Sequence, residues 1–212
     1  MRCVLATVRT ASLANKPEIK LNVMTVNPMY HQTNQRMEEE LCWIKRAKEN
    51  PESFGPLYRR YHEQIFRYIY QRMNDEETAF DVTSQVFMKA LNNLHRYEFR
   101  GVPFSSWLYR IAKSELYQAF RDKKAERTVN IDSYQLFEII EEFDEDNTEA
   151  NKKKLFDSLS KLKEKDMQLL ELRFFEKRSF REIGEILDIT ENNAKVKSFR
   201  ALEKLKKIFN QK

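Results

Sequence analysis

The stretch SFREIGEILDITENNAKVKSFRALEKLK, residues 179–206, decides how this chain is read. Phe180, Ile183 and Leu187 fall on one helical face, and the run stops at Asp188. Thr190 is placed to cap a second helix, with Asn193 three residues on in place of the glutamate of a full capping box. In that second helix Ala194, Ser198, Ala201, Leu202, Leu205 and Ile208 share one face. Asn192, Val196, Phe199, Arg200 and Glu203 lie opposite, with Lys195 and Lys197 on the flanks. Gly184, Asp188 and Ala194 supply the small residue, the positive-φ position and the apolar residue of a helix-turn-helix elbow. Phe199 gives the pattern its direction. A large aromatic opposite the core stripe suits a helix in the major groove, where it can meet a thymine methyl while Arg200 and the lysines address guanine edges and phosphates. The alternative is that Phe199 packs against an unseen neighbour.

The rest of the chain has 212 residues, 33% of them charged, with 3 glycines and 5 prolines, a composition that favours helices. No apolar run reaches the roughly 18 residues that cross a membrane, so membrane insertion is not expected. Cys3 and Cys42 are far apart, and His31, His62 and His95 are scattered. No metal-ligand set or cofactor is expected from them, and a reducing, cytoplasmic setting is. Charge divides unevenly: residues 1–36 carry +4, residues 37–128 carry +2, residues 129–151 carry −8 and residues 152–212 carry +7. Two basic-leaning blocks thus flank an acidic tether. The first 36 residues show no sustained helical period and are expected to be a disordered arm or the product of a mis-set start, with Met37 as the alternative initiator.

Residues 37–128 predict a helical bundle. Phe54, Leu57, Tyr58, Tyr61, Ile65, Tyr68 and Ile69 form one stripe, and Ala79, Val82, Val86, Phe87, Ala90, Leu91 and Leu94 form a second. Asn74 and Asp75 supply a turn and cap between them, and a shorter helix is expected at 38–48. The stretch HRYEFRGVPFSS reads as a loop, with Ser105 or Ser106 capping a helix whose inner face is Leu108, Ile111, Ala112, Leu116, Ala119 and Phe120. Its other face carries Arg110, Lys113, Ser114, Tyr117 and Arg121, cations interleaved with an aromatic, as a nucleic-acid strand requires. The tether, residues 129–151, is expected to be largely extended and solvated. Leu136, Phe137, Ile139, Ile140 and Phe143 are nevertheless apolar enough to dock somewhere.

Taken in order, FGPLYRRY, AFDVTSQVF, FSSWLYRIAKSELYQAFR and the closing LLELRFFEKRSFREIGEILDITENNAKVKSFRALEKLK resemble the two domains of a bacterial extracytoplasmic-function (ECF) sigma factor of the sigma-70 type. The resemblance covers about residues 38–209. It implies an all-α fold of two small domains: region 2 at 37–128, an acidic linker at 129–151, and the region 4 helix-turn-helix at 152–212. It implies core RNA polymerase and promoter DNA as partners, an anti-sigma factor as a third, and no bond chemistry. Asp81, Ser84, Gln85 and Lys89 match the helix that docks on the polymerase clamp helices, although the family commonly has Gln-Glu where Ser84 and Gln85 stand. Arg100, Phe104, Arg110, Lys113, Ser114, Tyr117 and Arg121 match the loop and helix that capture and open the −10 element, with Ser114 in place of a usual Asn. Thr190, Asn192, Lys195, Val196, Lys197, Phe199 and Arg200 fall on the −35-reading positions. The tether matches the segment that family members thread through the polymerase cleft.

Three other classes fit the sequence less well. A stand-alone helix-turn-helix regulator needs a dimerisation seam to set half-site spacing, and none is evident. A helical enzyme needs a nucleophile–base pair, a metal set or a glycine-rich phosphate loop, none of which the sequence offers. A structural protein leaves outward Phe199 and Tyr117 unexplained.

Overall fold

The computed structural model describes residues 34–73, 75–123, 133–143, 145–146 and 148–211, and every regular element in them is helical. The expectations for residues 1–33 and for the first residues of the tether lie outside the described residues. Helix α1 (Asn34–Glu49) precedes a short 3₁₀ turn (Pro51–Phe54), where the Asn50 side chain accepts from the Glu52 N–H at 3.1 Å. Helix α2 (Gly55–Tyr70) buries Leu57, Tyr61, Ile65, Tyr68 and Ile69, the stripe expected of it apart from Tyr58, which is exposed. Asp75 caps α3 (Glu76–Asn93) by accepting from the Thr78 N–H at 2.7 Å. Helix α4 (Phe104–Lys123) then closes the bundle against α2 and α3.

Neither expected serine caps α4. The helix begins at Phe104, and both Ser105 and Ser106 are buried. The Phe104 N–H donates instead to Glu40 Oε1 at 2.9 Å, and the same oxygen accepts from the Tyr61 hydroxyl at 2.5 Å. Because the N-terminus of α4 is sealed under the preceding loop, a buried acceptor 64 residues away does what a local hydroxyl does at an exposed end.

The acidic tether also departs from expectation. Ser133–Glu142 forms α5, whose Leu136, Ile139 and Ile140 are buried together with Phe143 just beyond it. Burying each such side chain is worth about 1.5–3 kcal/mol, whereas repulsion between neighbouring surface carboxylates is a few tenths. Apolar spacing therefore wins over charge. Glu138 pairs with Lys177, and Lys206 donates to the Phe143 carbonyl at 3.4 Å.

The second half comprises α6 (Glu149–Ser160), α7 (Glu164–Leu170), a wide π turn (Glu171–Phe175), α8 (Phe180–Leu187) and α9 (Glu191–Asn210). Leu155, Leu159, Met167, Leu170, Phe174, Ala201, Leu205 and Phe209 form its core with the α5 residues. Phe209, rather than the expected Ile208, closes the buried face of α9. The two halves are in contact. Ile183, Ile186 and Ala194 join the apolar cluster of the first bundle, and α8 lies along α4.

Candidate nucleic-acid interface

The helix-turn-helix elbow follows from local chemistry. Ser179 and Glu182 form a complete capping box at the start of α8, which the reading of the sequence had not singled out. Asp188 ends α8 at φ 58°, a left-handed turn that lets the Ile189 N–H donate to the Gly184 carbonyl at 2.9 Å. A Cβ on Gly184 would stand 2.7 Å from the Ile189 carbonyl oxygen, so only glycine fits. Thr190 Oγ1 accepts from the Asn193 N–H at 3.2 Å and starts α9. Ala194, Ser198, Ala201 and Leu205 face inward, which leaves Thr190, Asn192, Lys195, Val196, Lys197 and Arg200 exposed. Phe199 is only half-exposed. Its ring lies 6.3 Å from that of Phe180, which in turn carries the Arg173 guanidinium at 4.7 Å. The neighbour that sequence alone could not supply is thus Phe180 on α8.

The other cationic face is built on α4 and the loop before it. Gly101 takes φ +72° in that loop, and Tyr97 and Val102 turn inward. Phe104 was placed among the DNA-contacting residues on sequence grounds, and the structure corrects this. It is fully buried, 5.1 Å from the Tyr97 ring and 5.3 Å from the Trp107 ring, and supports the loop from below. Above it opens a cavity of about 230 Å³ lined by Arg96, Tyr97, Arg100, Trp107, Arg110 and Glu185. Burial, reinforced by Glu40 and Glu185, pushes the Tyr97 phenol well above its usual range, so it stays neutral. Ser114, Tyr117 and Arg121 are exposed farther along α4, while Lys113 is half-buried and Arg110 is half-buried against Glu185 of α8. Burial and then Arg110 push the Lys113 ammonium down, with Asp188 opposing.

On α3, Asp81, Ser84 and Gln85 form an exposed row extended by Phe80 and Met88. The last two were missed; their spacing of four residues on either side of Ser84, off the buried 79–82–86–90 stripe, is the signal that finds them. Lys89 is exposed but tied to Glu115 of α4 at 2.7 Å.

A buried polar seam joins the halves. The Arg72 guanidinium reaches Glu171 at 3.0 Å and Glu176 at 3.9 Å, and stacks 3.7 Å above the Tyr68 ring. Tyr109 donates to Glu176 at 2.6 Å, and Arg178 reaches Ser105 at 3.4 Å and Glu182 at 3.2 Å. The pairs that cross between the halves are 67 or more residues apart, beyond any reading of spacing. Among the described residues, no group of three His, Cys, Asp or Glu side chains could hold a metal ion, and no helix is long and apolar enough to cross a membrane.

Residues 57–126 match the family description Sigma-70 region 2, and residues 158–207 match Sigma-70, region 4. The chain is 33% identical over 160 residues to the RNA polymerase sigma factor YlaC of Bacillus subtilis strain 168, covering 74% of this chain and 91% of YlaC. It is 26% identical to the ECF RNA polymerase sigma factor SigM of the same strain, over 73% of this chain and 94% of SigM. Against the ECF RNA polymerase sigma factor BldN of Streptomyces coelicolor it is 26% identical over 74% of its length, a span of 60% of BldN. In fold it is similar to CnrH, solved in complex with the cytosolic domain of CnrY, with a TM-score of 0.54 at 18% identity over 78% of this chain and 94% of the other.

Proposed function

The chain belongs to the ECF-type sigma-70 family of RNA polymerase sigma factors, and from that premise we propose which of its surfaces do which part of the work. As a sigma factor it directs RNA polymerase to promoters and catalyses no reaction itself. In our reading α9 enters the major groove of the −35 element. Arg200, Asn192 and Val196 meet base edges there, while Lys195 and Lys197 meet phosphates and Thr190 holds the helix start. Phe199 stiffens the elbow against Phe180 and offers its free edge to the groove. The loop 97–103 and the α4 row Arg110, Lys113, Ser114, Tyr117 and Arg121 hold the −10 strand, the aromatic stacking on a base as the cations meet phosphates. Arg100 stands at the mouth of the cavity where an extruded base would enter, and unstacking that base costs a few kcal/mol that these contacts must offset. The exposed α3 row of Asp81, Ser84 and Gln85 docks on the polymerase, with Lys89 braced by Glu115. A proteinaceous anti-sigma partner would cover the same row. Residues 37–128 and 152–212 act as the two promoter-facing domains, with 129–151 between them.

The observation that supports this best is the open cationic face of α9, set beyond a capped, left-handed elbow and free of intramolecular cover at Asn192, Lys195, Val196 and Arg200. Footprinting of the reconstituted holoenzyme on a promoter fragment tests it. Arg200→Ala is expected to weaken upstream protection by about 1–3 kcal/mol at an unchanged melting temperature of the protein. Phe199→Ala should lower both. Tyr117→Ala should retain upstream protection but lose permanganate reactivity of the melted strand. Upstream protection unchanged in both α9 variants would remove α9 as the reader.

A further inference from the structure

The pocket assigned to promoter DNA already has an occupant. Glu185, in the last turn of α8, extends its carboxylate to Arg100 Nη1 at 3.5 Å and to Arg110 Nη2 at 3.5 Å. Its backbone carbonyl accepts from Arg110 Nε at 3.0 Å and from Nη2 as well. Asp188 adds a second carboxylate 3.9 Å from Arg110. The C-terminal end of a helix carries partial negative charge, so this end of α8 presents to α4 what a phosphodiester would: anionic oxygens at hydrogen-bonding range. Arg181 of the same helix lies across the loop. Its guanidinium donates to the Arg100 carbonyl at 3.3 Å and fills the space where a Cβ on Gly101 would stand, 2.2 Å away.

We propose that α8 is an internal substitute for the DNA strand. In this account Glu185 plugs the loop–α4 pocket, and the free chain rests in a closed form that polymerase and promoter must open. The inference rests on the proposed role of Arg100 and Arg110 in holding the −10 strand. Two independent observations carry it further. The first is reach. Elements centred about 25 base pairs apart are separated by about 85 Å at about 3.4 Å per pair, whereas two packed domains of this size have radii of gyration of only about 10–12 Å each. The closed chain cannot touch both elements at once. The second is the seam. The contact is mixed: Ile183, Ile186 and Ala194 are apolar, but Arg72, Glu171, Glu176, Arg178 and Tyr109 are paired when closed and can be hydrated when apart, which makes separation less costly than across a wholly apolar contact.

The test uses the full chain without polymerase and a fluorescein-labelled, AT-rich, 20-nucleotide single strand at low salt. Two partly exposed ion pairs hold the plug, and each is worth up to about 1 kcal/mol, so Glu185→Gln is expected to tighten strand binding three- to tenfold. It should also raise hydrogen exchange of the 97–110 segment. Arg110→Ala should weaken binding and abolish the gain when combined with Glu185→Gln. Binding by Glu185→Gln within twofold of wild type, with Arg110→Ala still weakening it, would overturn the plug and leave the assignment of α4 standing. If Arg110→Ala has no effect in either background, the assignment of α4 fails and the plug falls with it.

Discussion

Glu40 lies beneath the loop that shapes the candidate DNA pocket, and one of its oxygens joins α1, α2 and α4. Burial lifts its carboxyl to about 6 from 4.5, although the bonds from Tyr61 and Phe104 pull the other way. In the unfolded chain the group loses its proton near 4.5, and in the folded chain near 6. Between those values the folded chain holds the proton and the unfolded chain does not, so raising the pH through this window removes stability. The shift corresponds to about 2 kcal/mol. Urea melts from pH 4 to 7 should therefore show the wild type losing about that much relative to Glu40→Gln; parallel curves would contradict it. At this scale the elbow residues were legible because their constraints are local. Gly184, Asp188 and Thr190 act on atoms within a few positions of themselves. Glu40 and Glu185 were not, since their partners are 21 to 85 residues away on other helices and neither position carries a periodic signal.

The elements were legible where apolar spacing repeats, as in α2, α3 and α9, and less so where charge and spacing compete. The acidic count of residues 129–151 favours an extended tether, but four apolar side chains at helical spacing fold part of it into α5 and dock it on α6 and the π turn. Phe199 was only partly legible for a related reason. Its face was read correctly, but its neighbour belongs to α8 across the elbow. The elbow itself gives a sharp test. Gly184→Ala gains up to about 1 kcal/mol of helix propensity, yet its methyl must displace the Ile189 carbonyl, which at 2.7 Å is backbone and cannot turn aside. Overpacking of that kind costs about 1–3 kcal/mol, so the substitution should lower the thermal midpoint. A midpoint at or above that of the wild type would show that the elbow has slack.

At the scale of the whole molecule, two helical halves were legible from composition and motif order, and their contact was not. The apolar cluster of the first bundle runs on into α8 and α9, and a buried polar seam reinforces it. The cations of the two candidate DNA faces therefore differ in state. Those of α9 are open, while Arg100 and Arg110 are engaged by α8. This arrangement predicts weak DNA binding by the free chain and promoter-specific action only with polymerase. The most direct measurement adds the purified chain to sigma-free core RNA polymerase on genomic promoter fragments and reads run-off transcripts. Discrete transcripts that depend on the chain are the predicted result. Core polymerase that neither binds the chain nor gains any transcript from it would contradict the account.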